Sequence, residues 1–405
     1  MKISQGVALA LLGGLVWVVR GLQAREGGGT LVFALWVGVA LGLVLQRSRF
    51  CFYCHARDWL EDGDPRGLLA ILLALAVGLV GVTVLLGSWV AVPQPGQLPP
   101  DMHIGPVSWA LVAAGLAFGL GMVVSGSCIS AHWYRLAEGS PVAPWALLGT
   151  ALGFVLGFRS WNALYSEAIA DAPVVWLPAH LGYGGALLLQ LGVLAVAAAA
   201  LWQGWARKGG PAAGGKTGPD TGAAPRLPGL PAVWQRWWTG RWPYWVGGLA
   251  VGLISVATMI RVRPLGVTAT LGSATRQWAQ SQGWTPLRLD GLDTLGGCAT
   301  AVQATLLTPH ALVLVGLLAG SWVASLQSGQ WAPRRPSARD VARGLGGGVL
   351  LGWGAMTGLG CTIGTLLSGT MAGALSGWVF GIALFMAVAL GLRGKAWWLR
   401  RPGRS

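Results

Sequence analysis

Five cysteines carry the chemistry that can be read from this chain: Cys51, Cys54, Cys128, Cys298 and Cys361. A cysteine in an apolar run is usually a small, inert filler. Cys298, next to Gly296 and Gly297 and without a repeat partner, takes that reading. Cys51, Cys128 and Cys361 fall at breaks between apolar runs, where a pathway would be lined. Polar and small residues surround them: Arg49 and Arg57 near the first, Gly126, Arg135 and Glu138 near the second, and Gly360 beside the third. Cys51, Cys54 and His55 form C-x-x-C-H, the c-type haem attachment pattern. That pattern is short and arises by chance, and zinc needs more ligands than these three residues supply. No cofactor or metal is therefore expected. The competing reading is a membrane redox protein that uses Cys51, Cys54 and His55 for haem or thiol exchange.

The elements that position these residues are membrane helices. Of 405 residues, 54% are apolar and 10% charged, with a mean hydropathy of +0.60. Soluble domains carry about 25% charged residues. The composition excludes a soluble enzyme, a disordered tail protein and a disulfide scaffold. Apolar runs near 7–19, 29–46, 68–90, 107–124, 142–158, 181–203, 243–260, 308–327, 342–357 and 372–392 predict an all-α polytopic membrane protein with nine or ten crossings. The first run is short enough to read either as an uncleaved helix or as a signal peptide.

Residues 205–242 are rich in Gly and Pro and carry Arg207, Lys208, Lys216, Arg226, Arg236 and Arg241. They read as a linker, which the positive-inside rule places in the cytoplasm. Alternation then puts the 47–67, 125–141 and 328–341 loops and the C-terminal tail inside as well. This leaves the C-x-x-C-H loop inside, whereas c-type haem is attached on the outer face. The expected organisation is an N-terminal segment (1–28), a first membrane repeat with its connecting helix (29–204), the linker (205–242), a second repeat (243–392) and a basic cytoplasmic tail (393–405).

The two halves repeat. Gly115-xxx-Gly119-x-Gly121-x6-Cys128 matches Gly348-xxx-Gly352-x-Gly354-x6-Cys361, and a GxxxGxxxG run follows each: Gly149, Gly153 and Gly157, then Gly373, Gly377 and Gly381. Measured from cysteine to that run, the first loop is about nine residues longer. An odd number of crossings separates the copies, so they are inverted, an arrangement that places a substrate path at the repeat interface. The segments around Cys51, Cys128 and Cys361 are too polar and Gly-rich to span. They read as re-entrant loops leading into half-helices, whose first N–H groups attract anions. The 264–278 segment is the equivalent element that has lost its cysteine. Arg135 and Glu138, three apart, have the spacing of a same-face helical pair.

At these residues the chain resembles the YeeE/YedE family of sulfur-compound transporters. Arg49-Phe50-Cys51-Phe52-xxxx-Arg57-Asp58 is similar to its first signature. Gly126-Ser127-Cys128-Ile129 through Arg135, Glu138, Gly139 and Ser140 is similar to the second, and Gly358-Leu359-Gly360-Cys361-Thr362-Ile363-Gly364 to the third. The resemblance implies an hourglass-like inverted repeat in the bacterial inner membrane. It further implies that thiosulfate or a related anion passes along Cys51, Cys128 and Cys361, with a cytoplasmic sulfur carrier or sulfurtransferase as possible partner. Cys54, His55 and the bulky Ser130-Ala131-His132-Trp133 depart from the family pattern and leave other reduced sulfur or selenium compounds open as substrate.

Thiosulfate is a dianion with one soft sulfur and three hard oxygens. A neutral thiol is a weak S–H donor that holds such a sulfur loosely, and conduction needs sites that release what they bind. A thiolate would repel the ion, so the thiols are expected to stay protonated. No nucleotide-binding motif is present. The formal charge of +15 is mainly a topology signal: 21 of the 28 basic residues fall on the cytoplasmic side, which argues for membrane lipid contact and against nucleic acid. Arg261, Arg263, Arg276 and Arg288 fall outside, either as an anion-attracting vestibule or as the mark of a misdrawn outer loop.

Overall fold

Glycine decides where the helices of this protein meet. The computed structural model describes residues 3–207, 237–262, 264–297 and 307–399; Cys298, Arg263 and most of the linker lie outside them. The long helices are α1 (Ile3–Gln23), α2 (Gly28–Ser48), α4 (Arg66–Trp89), α5 (Trp109–Ser125), α7 (Ala143–Leu164), α8 (Leu177–Arg207), α9 (Tyr244–Arg261), α11 (Pro309–Gln327), α12 (Ala338–Thr357) and α13 (Leu375–Leu399). They coincide with the ten predicted apolar runs. Between them lie short pieces: α3 (Phe52–Asp62), α6 (Ile129–Ala137), α10 (Ala269–Ser281) and a π-helical segment (Thr362–Gly369). No strand forms among the described residues beyond two isolated bridges. Among the described residues, eight spans are long and apolar enough to cross a bilayer, so the chain is an all-α multi-pass membrane protein.

The packing repeats as the sequence does. α2 lies against α11 as α9 lies against α4, and α7 against α12 as α13 against α5, while α5 meets α12 and α2 meets α9 across the middle. The small residues show the same relation. A Cβ on Gly121 would strike Gly347 and Leu351, and one on Gly354 would strike Ala114 and Phe118. The two sets differ by one constant shift of 233 residues, the relation expected of a two-fold axis between α5 and α12. Helix pairs built this way gain close backbone contact where lipid offers no hydrophobic drive for association.

The same contacts correct the register of the second glycine run. Gly348 meets Ala146 and Gly149, and its counterpart Gly115 meets Phe380 and Ala383; Gly352 meets Gly153 as Gly119 meets Ala387. Gly149 and Gly153 therefore correspond to Ala383 and Ala387, not to Gly373 and Gly377. Gly373 is a turn residue at φ +82° before α13. Counted to the true equivalents, the loops from Cys128 to Gly149 and from Cys361 to Ala383 differ by one residue. The nine-residue difference disappears, because alanine fills the role that glycine has in the first copy.

The loops sort to two ends. At one end, Gln46 donates to Glu138 and to Gln330 (3.1 and 3.0 Å), the Ala332 N–H bonds the Glu138 carbonyl, and Arg343 Nε donates to the Val124 carbonyl. This gathers the 47–67, 125–141 and 328–341 loops, the set assigned to the cytoplasm. At the other end, Trp161 and Asn162 bond the 288–290 backbone, Trp176 Nε1 donates to the Ala372 carbonyl, and Gly297 touches Leu359. Exposed tryptophans band both ends: Trp202, Trp237, Trp245, Trp331 and Trp397 near the first, and Trp89, Trp109, Trp278 and Trp284 near the second. Such belts mark the membrane interfaces.

Candidate functional site

All three candidate cysteines occupy the same local motif. Each follows by two a residue with left-handed backbone: Arg49 (φ 54°) before Cys51, Gly126 (φ 82°) before Cys128, and Leu359 (φ 59°) before Cys361. Arg49 and Gly126 cap the preceding helix and Leu359 follows the cap Gly358; each turns the chain so that the cysteine is the N-cap of a short helix: α3, α6 or the π segment. Glycine adopts this backbone freely, whereas for other residues it costs on the order of 1–2 kcal/mol. Gly360 is required for a second reason: a Cβ there would press on Thr365, whose Oγ1 closes the turn by donating to the Gly358 carbonyl (2.7 Å).

Cys51, Cys128 and Cys361 are fully buried. The first two meet, Sγ to Sγ, at 3.8 Å, and Cys128 Sγ lies 3.1 Å from Ser130 Oγ. The Cys54 N–H donates to Cys51 Sγ at 3.5 Å. Cys361, the counterpart of Cys128, stands across the two-fold axis. Its two-fold counterpart of α3 is α10, capped by Thr268, which is fully buried and whose Oγ1 has no hydrogen-bond partner among the described residues. Ser368 Oγ of the π segment donates to the Leu265 carbonyl (3.0 Å), tying the two outer elements together. One side therefore offers a thiol pair, and the other offers Cys361 on an element tied to the one that Thr268 caps. The helix starts behind them present first-turn N–H groups and the positive end of the dipole, both suited to an anion.

The charged residues pair differently from their sequence spacing. Glu138 bridges to Arg49 (2.9 Å), not to Arg135. Arg49 also bonds Gln330, which joins three loops at one point. Arg135 turns inward, donating to the Gly126 carbonyl and to Cys54 Sγ, both at 3.3 Å. The i,i+3 pair fails because the left-handed turn at Arg49 brings its side chain to Glu138 first. Arg57 pairs with Asp58 (2.8 Å) and Glu61 (4.0 Å).

The outer arginines form no common vestibule among the described residues. Arg276 is buried, Arg288 faces Asp290 at 3.5 Å, and Arg261 lies 6.0 Å over the Phe33 ring. A narrow cleft of about 10 Å³, room for roughly one water, lies there between His103, Leu359 and Thr365. Burial lowers the pKa of His103, and a hydrogen bond with the Gly364 backbone acts against that shift. The inner end is open instead: a cavity of about 300 Å³ reaches down to α6.

The C-x-x-C-H residues do not assemble a haem site. Cys51 faces Cys128, and His55 is buried edge-on against Tyr244 (5.0 Å) and above Gly67, where even a Cβ would clash. A porphyrin has no space at that motif. No group of three or more metal-ligating side chains forms among the described residues.

Comparison with known proteins agrees with this architecture. A family model described as sulphur transport matches residues 47–390. The thiosulfate transporter TsuA of Escherichia coli (strain K12) is 25% identical over 88% of this chain and 92% of its own length. TsuA of Spirochaeta thermophila is 29% identical over 86% of this chain and 94% of its own. The probable transporter YedE of Escherichia coli (strain K12) is 31% identical over 44% of this chain and 42% of its own.

Proposed function

The chain belongs to the sulphur transport family, and on that premise we propose that it is an inner-membrane permease that imports thiosulfate or a closely related reduced sulfur anion. The observation that carries this reading is the buried contact between Cys51 and Cys128, each capping a half-helix, with Cys361 capping a third across the two-fold axis. Full-length similarity to two thiosulfate transporters supports the choice of substrate.

In this mechanism the ion moves from the Thr268–Cys361 side to the Cys51–Cys128 side. Its soft sulfur exchanges one S–H contact for another, while its oxygens face first-turn N–H groups. Each thiol contact is worth on the order of 1 kcal/mol, which favours a site by only about fivefold. Weak, successive sites of this kind let the ion leave as readily as it enters. No covalent bond forms, so the protein is a carrier rather than an enzyme. A soluble sulfur carrier or sulfurtransferase then takes the anion at the cytoplasmic mouth.

The test is uptake of radiolabelled thiosulfate in cells lacking other sulfate and thiosulfate importers. Wild type should accumulate label, Cys128→Ala should lose most of it, and Cys128→Ser, which keeps a small donor, should fall between them. Unchanged uptake by Cys128→Ala would sink the thiol relay. Competition by unlabelled selenite or sulfite in the same assay ranks the alternative anions. A pyridine haemochrome spectrum showing a c-type band would favour the redox reading instead.

A further inference from the structure

We propose that the inner cavity is a second anion-binding station, a vestibule built by His132, Arg135, Arg343 and Lys395 that holds a sulfur oxyanion dianion after it leaves the thiol pair. The proposal rests on the transport reading above and adds a site and its ligand class. The cavity, of about 300 Å³, is lined by Arg57, Glu61, His132, Arg135, Arg343 and Lys395. Four of these are cations and one is an acid. Arg57 is already neutralised by Asp58 and Glu61. Arg135 bonds a carbonyl and a thiol, and Arg343 a carbonyl, among the described residues. Three positive charges therefore face the space without a carboxylate, enough to balance a dianion with one left over.

His132 independently points to a ligand. It lines the cavity, is 1% exposed, and neither ring nitrogen has a hydrogen-bond partner among the described residues. A buried imidazole with both nitrogens unsatisfied costs stability unless something bonds it. An oxyanion in the cavity accepts from its N–H and satisfies it. His132 lies on α6, four residues after Cys128, so it sits one helical turn from the thiol pair and on the way out. The thiols are suited to the soft sulfur, and the vestibule is suited to the hard oxygens and the charge.

Sulfate tests this directly, since it has the charge and oxygens of the substrate but no soft sulfur. Binding of radiolabelled sulfate is measured on the full-length protein in phosphatidylcholine nanodiscs at low ionic strength. Wild type should bind saturably and weaken with salt. R343Q/K395Q should bind about tenfold more weakly, as expected for two charges removed from a partly solvated site. H132F should also weaken binding, and R207Q, which removes one positive charge on α8 away from the cavity, should leave it intact. Should H132F not fold by size-exclusion chromatography, R343Q/K395Q decides. Absence of sulfate binding to wild type, or wild-type affinity in folded R343Q/K395Q, overturns the station. So does loss of sulfate binding when phosphatidylglycerol replaces phosphatidylcholine at an ionic strength that screens the bilayer's own charge, which would assign the cations to lipid headgroups. Thiosulfate flux into proteoliposomes separates the two readings. No flux with charge-dependent sulfate binding sinks the transport reading alone, and normal flux without sulfate binding sinks the vestibule alone.

Discussion

At the scale of single residues, the site is a left-handed turn used three times. Gly126 makes it at no steric cost, while Arg49 and Leu359 hold the same backbone against their own Cβ atoms. Leu359→Gly should therefore relieve backbone strain, whereas Gly126→Val should destabilise the protein by about 1–2 kcal/mol, both read from thermal unfolding in detergent. Glu138→Ala should cost about 1–2 kcal/mol as well, since it strips Arg49 of a half-buried partner. Arg135→Ala should spare the Arg49 network and perturb the Cys54 side instead. Thiol labelling of Cys54 distinguishes the two. The three cysteines were legible in the sequence because each is a rare residue at a break in an apolar run, and Gly126 and Gly360 because each lies within two residues of one. The partner of Glu138 was not. Spacing within one helix says which residues share a face, and says nothing of a side chain delivered from another loop. His132 and Thr268 were passed over for a related reason: their significance lies in having no partner, which only a packed structure reveals. Thr268 could have been found by asking what caps the fourth half-helix.

At the scale of elements, small residues position everything else. Gly352 and Gly153 let α12 and α7 touch backbone to backbone, and a methyl group on Gly352 would overlap the Thr150 carbonyl. Gly346, on the same helix, has open space around it. Gly352→Ala should lose about 1–3 kcal/mol through overpacking, while Gly346→Ala should be neutral or gain up to about 1 kcal/mol of helix propensity. Unfolding midpoints of the two variants, measured side by side, check the contrast. The helices themselves and their number followed from apolar runs, but not all their ends: the Ser337–Asp340 capping box starts α12 at Ala338, four residues before the run at 342–357. The register of the second α7-like helix did not follow either. In a chain with 65 glycines a GxxxGxxxG pattern recurs by chance, and alanine serves close packing nearly as well, so the true counterpart at Ala383 and Ala387 carried no distinctive letter.

At the scale of the whole molecule, the two copies interlock instead of sitting side by side. α2 and α4 of the first copy find their main partners in α11 and α9 of the second. Neither copy therefore covers its own small-residue faces, and each half expressed alone should fail to accumulate. Co-expression of residues 1–215 with 216–405 should restore thiosulfate uptake, because the cut falls where no described helix is broken. Recovery of uptake from one half alone would show that a copy is self-sufficient. The inverted arrangement was legible from a count of crossings. The interlocking was not, since sequence order reports which helices follow one another and only packing reports which ones embrace.

The two ends of the axis are unequal: a cleft with room for about one water against a cavity of about 300 Å³ ringed by cations. This asymmetry has a kinetic consequence rather than a thermodynamic one. By detailed balance, a basic basin at that mouth slows exit in both directions, so it lengthens the dwell of the ion there without moving the equilibrium across the membrane. A longer dwell raises the chance that a soluble acceptor captures the ion before it re-enters. On the import proposed above, the ratchet would reside in the acceptor's chemistry, and the net current would follow the rate at which sulfur is consumed inside.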